Sequence, residues 1–482
     1  MTSRSEEVGM PDVHGEIVDE FGKIEIYGID IIPESDRHGT AKELFWPWFS
    51  ANSTFINMIV GGVLILYGLN IWEALSAVVV GNLVFLLVGV CSLPGPSAGT
   101  ATLTISRAAF GLRGNFVPAI FSWFSTLGWE TINIILGTLA LRTLLQQLGL
   151  NTPKWALAPF LVLMALLTFA IPVLGHATLV IAQKWLAYVL TALTIVMAII
   201  LLPKVHWGYA GGHLAASNSV STWFLGLTAV LGAGAISWVN YASDYSRYLP
   251  RRSDGGAIIG WVTLATVLPG CLYGGLGVVL GTLVDTSDPI KNLPTILPKW
   301  FLIPFLVVVI AGVIANNVMN SYSSGLSLLA LGVRIERYKS VFIDAVISVG
   351  LASVALFIYN FSNVFTEFLG ILVILLAPWS GVFVVDYLLR RGNYASDDLL
   401  LSRGGSYWYS SGIGWRAIAA LAVGVVMAAL VANTALFQGF IAMHFLGGAD
   451  LSPIVGFFLG AGVYYALAAS QVREAISVKK ES

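Results

Sequence analysis

The chain has 482 residues, of which 57% are apolar and 11% charged, and its formal net charge is −1. Soluble globular domains carry about 25% charged residues, so this composition excludes a soluble protein and predicts an integral membrane protein. The apolar runs are long and continuous rather than alternating, which favours membrane-spanning helices over a closed β-barrel.

The first 44 residues are polar and hold 11 of the 26 acidic residues. Because they show little apolar periodicity, we expect a mostly disordered cytoplasmic tail at 1–44. The first apolar run begins near Phe45, so no cleavable signal peptide is predicted.

Twelve apolar segments follow, and each is long enough to cross a bilayer as a helix. They lie near residues 46–67, 71–91, 116–147, 155–172, 177–202, 222–243, 256–284, 300–331, 339–358, 362–388, 415–435 and 452–470. The predicted fold is an all-α integral membrane protein with twelve transmembrane helices. Its parts are a transport core of ten spans at 45–390, a cytoplasmic loop at 391–414, two more spans at 415–470 and a cytoplasmic tail at 471–482.

The basic residues predict the orientation of these spans. With an inward N-terminus, 19 of the 25 Lys and Arg residues fall in inward segments and five in outward loops or helix ends. Cytoplasmic loops carry an excess of Lys and Arg, so both termini are expected in the cytoplasm.

Spans one and six carry helix-breaking stretches at matching positions. Span one opens with WPWFSANS at 46–53, and span six contains Gly232 and Gly234. Two interrupted helices in corresponding places indicate an inverted-repeat transporter and mark its binding site. We therefore expect a five-plus-five inverted repeat followed by two extra helices. Close helix packing is the alternative explanation for Gly232 and Gly234.

Two tryptophans lie at mid-membrane depth. Trp129 shares one face of span three with Asn133, four residues later, and Trp238 follows the break in span six. A tryptophan away from the interfacial belts is either a packing residue or a wall on which a flat ring stacks. The presence of two such indoles favours a stacking slot.

Span eight contributes Asn316, Asn317 and Asn320, of which the first and last share a face. Asparagine is costly in lipid unless paired, and its amide offers donors and acceptors that match the edge of a purine or cytosine. Hydrogen bonding between helices is the alternative. The predicted substrate-binding residues are Trp129, Asn133, Trp238, Asn320, Ser50 and Ser237.

Charged residues within the spans are candidates for ion coupling. Glu130 borders the face of Asn133 and is the strongest candidate for a proton relay. Lys184 and Glu367 lie nearer span ends. Asp244 and Arg247 close the end of span six and are expected to be an exposed pair with a structural role, or alternatively a gate.

Signals for other kinds of protein are missing from the sequence. It holds neither a phosphate-binding G-x-x-x-x-G-K-[ST] motif nor a Cys/His cluster of metal-ligand spacing, and Cys91 and Cys271 fit as small apolar fillers. We therefore predict no enzyme activity, catalytic residue, cofactor, metal site or nucleic-acid partner. The expected partners are the lipid bilayer, a small molecule and a coupling ion.

Several stretches carry a family resemblance through their order and spacing. They are PESDR at 33–37, FWPWFSAN at 45–52, SRAAFG at 106–111, GW at 128–129, SWVNYASDYSRY at 237–248, NNVMNSYS at 316–323, PWSG at 378–381 and DY at 386–387. Over residues 24–395 the chain resembles the nucleobase–cation symporter family 1, the purine and cytosine permease group. The resemblance implies a LeuT-like fold with alternating access. It also implies a ring held between Trp129 and Trp238, with Asn320 and Asn133 at its polar edge.

The resemblance also bears on the coupling ion. In sodium-coupled members, hydroxyl groups of span eight help to hold the ion, and the corresponding positions here are Ile314 and Ala315. Neither side chain has an oxygen, so a proton is expected as the coupling ion and sodium is less favoured.

The sequence therefore predicts a plasma-membrane permease that imports a nucleobase, such as cytosine or a purine, by proton symport. The alternatives within transport are allantoin, hydantoin, uracil, a pyridoxine-like compound or thiamine, with sodium as a possible coupling ion. A receptor or channel is an alternative of another class, which the interrupted helices disfavour.

Overall fold

The computed structural model describes residues 21–25, 27–212, 219–286, 290, 292–357, 361–434 and 436–481. In these residues ten helices are long and apolar enough to cross a membrane, and a bent pair in span one counts as an eleventh. The apolar helix Trp415–Leu430 is shorter, with 16 residues. The predicted all-α membrane fold is confirmed, whereas the number of twelve transmembrane helices is not.

Each helix carries the number of the predicted span that it occupies. Span one is Phe45–Asn52 with Phe55–Leu66, and span two is Ile71–Leu83 with Leu86–Cys91. Spans three to five are Phe116–Gln147, Leu157–Leu174 and His176–Leu201. Span six is Ser219–Ala233, Ala235–Trp238 and Ala242–Ser246. Spans seven to twelve are Gly255–Leu283, Lys299–Ala330, Arg337–Phe357, Phe361–Arg390, Trp415–Leu430 and Ser452–Glu481.

The predicted break in span one is confirmed. Its two helices meet at an angle of 54° around Ser53. Pro47 lies in the first turn, where its missing N–H is harmless, so it does not cause the bend. At the break, side chains donate hydrogen bonds to backbone carbonyl groups. Ser53 Oγ donates to Phe49 O at 2.8 Å, and Asn57 Nδ2 donates to Asn52 O at 2.7 Å. Hydroxyl and amide groups thus stabilise the free end of the broken helix.

The two glycines of span six have different roles. Gly234 has φ −111° and ψ −116°, which ends the helix Ser219–Ala233, so the predicted break is confirmed. Gly232 stays helical and packs on span ten. A Cβ atom there would lie 3.0 Å from Val373 Cγ2 and 3.2 Å from the Leu369 carbonyl oxygen. The packing explanation therefore holds for Gly232 and the conformational one for Gly234.

The long helices form two groups by their contacts. Spans one, two, six and seven pack on one another and make the first helix group. Spans three, four, eight and nine pack on one another and make the second helix group. The first helix of span one also contacts spans five and eight, so the break lies where the two groups meet.

The described part of the polar segment before span one, residues 21–25 and 27–44, packs on the helices. Glu25 is buried, and its N–H donates to the Leu174 carbonyl oxygen at 2.9 Å. Arg37 donates to the carbonyl oxygens of Ile32 and Pro96. Charged side chains and backbone groups hold this segment against the helices. Apolar side chains are not needed for these contacts, so the segment shows no apolar periodicity. Residues 1–20 and 26 of the predicted tail lie outside the described residues, as does residue 482 of the predicted C-terminal tail.

Candidate functional site

Three asparagines form a hydrogen-bonded row between spans three and eight. Asn316 is at its centre: its Oδ1 accepts from Asn133 Nδ2 at 2.8 Å and from Asn320 Nδ2 at 2.9 Å. Its own Nδ2 donates to the Ala51 carbonyl oxygen at 2.9 Å, one residue before the end of the first span-one helix. All three amides are buried. The row therefore joins both helix groups at the break in span one.

The row leaves acceptors rather than donors available. Within the described residues, Asn133 Oδ1, Asn320 Oδ1 and Ser50 Oγ are buried and have no hydrogen-bond partner. The indole Nε1 of Trp129 is also buried without a partner. Unsatisfied buried polar atoms cost free energy, so these atoms favour a ligand that completes their bonds. The two amide oxygens require N–H donors on such a ligand.

Of the two predicted serines, Ser237 is already satisfied. Its hydroxyl donates to the Gly234 carbonyl oxygen at 2.9 Å, within its own short helix. This bond stabilises the break in span six. A ligand contact by Ser237 remains a prediction, but Ser50 is the serine with an available hydroxyl.

The two predicted indoles lie on opposite helix groups. Trp129 packs edge-on against Phe368, with ring centres 5.4 Å apart, in one apolar cluster. Trp238 packs edge-on against Trp48 at 5.5 Å and Tyr241 at 5.7 Å, in a second apolar cluster. Both are only 4% exposed. Edge-on neighbours hold the two indoles in place in separate clusters.

A cavity of about 260 Å³ lies between spans one, six and ten. Phe365 is among the residues that line it, and the ring of Phe365 also packs against Trp129 at 6.3 Å. Asp450, just before span twelve, lies at the same cavity. The cavity is therefore lined by Phe365, which contacts Trp129, one of the two predicted stacking residues.

Span five contacts span eight at Ala315, one of the two positions where the resemblance implies a hydroxyl group in sodium-coupled members. Gln183 is buried, and its Nε2 donates to the Ala315 carbonyl oxygen at 2.6 Å. Asn316 Nδ2 likewise donates a hydrogen bond to the Ala51 carbonyl oxygen. Carbonyl groups of unwound helix ends are typical sodium ligands in such transporters. Here an amide N–H group already binds one such carbonyl, that of Ala51 beside the break in span one, and another binds the Ala315 carbonyl within the continuous helix of span eight.

Glu130 faces span nine rather than the row of asparagines. Its Oε2 accepts from Ser348 Oγ at 2.8 Å, and the carboxylate of Asp344, also in span nine, interacts with it electrostatically. Asp344 Oδ1 accepts from Trp123 Nε1 at 2.9 Å. The carboxylate predicted to border the ring-binding face therefore lies on another side of span three.

The expected exposed pair of Asp244 and Arg247 is wrong. Both residues are buried, and each has other partners. Asp244 Oδ1 accepts from the N–H and the hydroxyl of Thr102, both at 2.8 Å. Arg247 Nη2 donates to Glu25 Oε1 at 2.9 Å. The spacing of three residues suggested a local pair, but the folded segment before span one supplies the counter-charge.

Glu25 is the centre of a buried cluster, the Glu25 cluster, with four side-chain partners. Its Oε1 accepts from Arg247, from the Tyr248 hydroxyl and from the Tyr322 hydroxyl. Its Oε2 pairs with Arg337 Nε at 3.5 Å. Burial alone would lower the pKa of Arg247, but its Tyr322, Tyr248 and Glu25 neighbours outweigh burial and raise that pKa above its usual value. The cluster joins the end of span six to spans eight and nine.

The remaining charged candidates lie away from these groups. Lys184 is exposed, and its Nζ lies 5.7 Å from the ring centre of Trp46. Glu367 is half-buried. Sequence reasoning did not identify Gln183 or Asp344, and it did not place Asn316 at the centre of the row. A polar residue inside an apolar run was the signal for each.

Comparisons with known proteins agree with this architecture. The family of permeases for cytosine/purines, uracil, thiamine and allantoin matches residues 31–460. A putative purine-cytosine permease of Bacillus subtilis is 27% identical over 468 residues, covering 92% of this chain and 96% of the relative. A purine-uracil permease of Arabidopsis thaliana is 24% identical, covering 92% of this chain and 78% of the relative.

A solved structure shows the same fold. The nucleobase-cation-symport-1 family transporter Mhp1, in a closed conformation with bromovinylhydantoin bound, superposes with a TM-score of 0.75. The identity is 20%, over 93% of this chain and 96% of that one. The LeuT-like fold predicted from the sequence is thereby confirmed. Since the family matches most of its length, the chain belongs to the family of permeases for cytosine/purines, uracil, thiamine and allantoin.

Proposed function

We propose that this permease imports a nucleobase, such as cytosine or a purine, together with a proton. The plasma membrane is its proposed location, with both termini in the cytoplasm, as the distribution of Lys and Arg indicates. Alternating access of the two helix groups around the break in span one would carry the substrate across.

The row of asparagines is the observation that carries the substrate proposal. The amide oxygens of Asn133 and Asn320 are buried without a partner, and Trp129 lies one helix turn before Asn133 in span three. A planar ring with N–H donors on its edge would satisfy both oxygens and stack on Trp129 or Trp238. Cytosine and purines carry such donors.

A related heterocycle is the second candidate, because it offers the same chemistry. Uracil and hydantoin rings also present N–H groups, and the similar proteins include a purine-uracil permease and a transporter with a bound hydantoin. Competition by unlabelled purines, pyrimidines and ureides against cytosine uptake, in a host that lacks nucleobase transport, would rank these candidates.

Replacing the indoles tests the slot. Trp129→Ala and Trp238→Ala should abolish uptake at normal expression, because each removes a stacking surface worth about 1–3 kcal/mol. Trp129→Phe should keep part of the uptake. Trp185→Ala, at an exposed tryptophan of span five, is the matched control and should transport normally. Normal apparent affinity in both site variants would reject the slot.

Replacing Asn320 tests the polar edge. Asn320→Ala should lose affinity for the best substrate and flatten the competition profile, because the N–H group of the ligand would lose its acceptor. An unchanged competition profile, with uptake at the normal level, would show that Asn320 does not read the ring.

The proton is proposed because the expected sodium position holds amide donors. Gln183 and Asn316 bind the Ala315 and Ala51 carbonyl oxygens, and the side chains of Ile314 and Ala315 supply no oxygen. Uptake should therefore tolerate choline in place of sodium, rise as the external pH falls below neutral and stop with a protonophore. A steep dependence on sodium at fixed pH would reject proton coupling and point to the free Oε1 of Gln183 as a ligand.

A further inference from the structure

Glu130 and Asp344 form a buried pair of acids, the acid pair, between spans three and nine. Both residues are 0% exposed. Their polar neighbours are Ser348, which donates to Glu130, Trp123, which donates to Asp344, and Ser324 of span eight, which lies close to both acids. In the described part of the chain, Glu130 Oε1 and Asp344 Oδ2 have no hydrogen-bond partner.

The described residues around the acid pair supply no cationic partner. Among the described residues, no Lys, Arg or His forms an ion pair with either carboxyl group. Tyr241, whose hydroxyl bonds to Ser125 of span three, is the other titratable group in electrostatic contact with Glu130.

The other titratable groups on the neighbouring helices are engaged elsewhere or partly exposed. Tyr322 of span eight and Arg337 of span nine belong to the Glu25 cluster. Glu367 of span ten is half-buried, and span four carries no titratable side chain. Neither charge of the acid pair is therefore compensated by a neighbouring cation.

Two buried carboxylates without a cation cannot both stay ionised. Removing one charge from water costs several kcal/mol even after relaxation, and a like charge nearby adds to that cost. A proton removes one charge and supplies an O–H donor for an oxygen that now lacks a partner, as in dyads that share one proton. The buried arrangement of the two acids is therefore stable with one proton on the pair.

We propose that Glu130 and Asp344 together are the proton-binding site of the transport cycle, holding the transported proton between them. This inference rests on the proposed proton coupling. A proton from the outer aqueous phase forms an O–H bond with one carboxylate before the site closes. The same bond breaks when the site opens to the other side, and the proton passes to water.

The position of the acid pair explains how it can sense the substrate site. Glu130 follows Trp129 directly in span three, so one helix turn carries a proposed ring wall and a proton-binding group. Ser321 and Ser324 of span eight lie close to Glu130, and Asn320 precedes them. Spans three and eight therefore each contact both sites, and a shift of either helix would affect both.

Amide variants test the pair through transport. The double variant Glu130→Gln/Asp344→Asn should exchange substrate normally in counterflow, yet should only equalise its concentration, regardless of pH. Each single variant keeps one acid and should still accumulate substrate in a pH-dependent way. Glu474→Gln, at an exposed acid of span twelve, is the matched control and should behave as the unmodified protein. Normal accumulation by the double variant would overturn the proposal, as would complete loss in one single variant and none in the other.

Infrared spectroscopy of the purified protein tests the bound proton without transport. At neutral pH the unmodified protein should show a protonated-carboxyl C=O band that each single variant alters and the double variant lacks. Identical spectra in all of them would overturn the proposal even if the double variant were inactive. If uptake were driven by sodium but the band were present, proton coupling would be rejected while the protonated acid pair would stand. Failure of the proposed coupling can therefore be told apart from failure of the proton-binding site.

Discussion

Glu25 and Glu130 are both buried acids, but their surroundings differ in charge and in the helices that they join. Glu25 accepts hydrogen bonds from four side chains or backbone groups and pairs with Arg247 and Arg337, which come from different helix groups. Glu130 faces another acid, Asp344, and accepts a hydrogen bond from Ser348 of the same second helix group.

The two regions differ in whether a neighbouring cation balances the buried negative charge. Two guanidinium groups balance the charge of the Glu25 carboxylate, so ion pairs of the Glu25 cluster hold the two helix groups together at that end. Two acids without a base are stable only when a proton is present. The Glu25 cluster must therefore come apart when the helix groups separate there, whereas the acid pair can remain in place and change its charge.

The largest expected effect is that of removing the acid from the Glu25 cluster. Glu25→Ala leaves Arg247 and Arg337 buried without their counter-charge, and breaking a buried ion pair in this way costs about 3–5 kcal/mol. Thermal unfolding of the purified protein in detergent should show a large loss of stability. Glu34→Ala is the control: its side chain is 57% exposed, and its pair with Arg37 should contribute at most about 1 kcal/mol. Equal losses in the two variants would contradict the importance of the cluster.

Amide substitutions should change the stability of the protein in different ways in the two regions. Glu130→Gln/Asp344→Asn removes like charges that no cation balances, so stability at neutral pH should be unchanged or higher. Glu25→Gln removes the charge opposite two guanidinium groups and should lower stability. The same thermal assay compares them, and a double variant that loses as much stability as Glu25→Gln would show that the acid pair is a structural contact.

Single hydrogen bonds should give the smallest effects. Tyr248→Phe removes one donor to Glu25 and should cost about 1 kcal/mol of stability without changing the pH dependence of uptake. Ser348→Ala should have a similar cost but should move the pH profile of accumulation upwards, because the hydroxyl donates to the ionised form of Glu130. Identical pH profiles for the two variants would contradict the distinction between the regions.

The sequence by itself determined the architecture and the family. An apolar composition of 57% and continuous runs predict helices, because lipid requires every backbone group to be satisfied within the helix. The glycine pair in span six and the polar stretch in span one located both breaks, since these residues interrupt or compete with helical bonding. The ordered motifs led to the permease family.

The tertiary structure alone decided which polar groups meet. Glu25 and Arg247 are 222 residues apart, and Glu130 and Ser348 are 218 apart, so no local spacing could pair them. The expected pair of Asp244 and Arg247 was wrong for the same reason. In a helical membrane protein the partners of a buried charge come from whichever helices pack beside it, and helix packing depends on contacts between distant segments that periodicity along one helix does not encode.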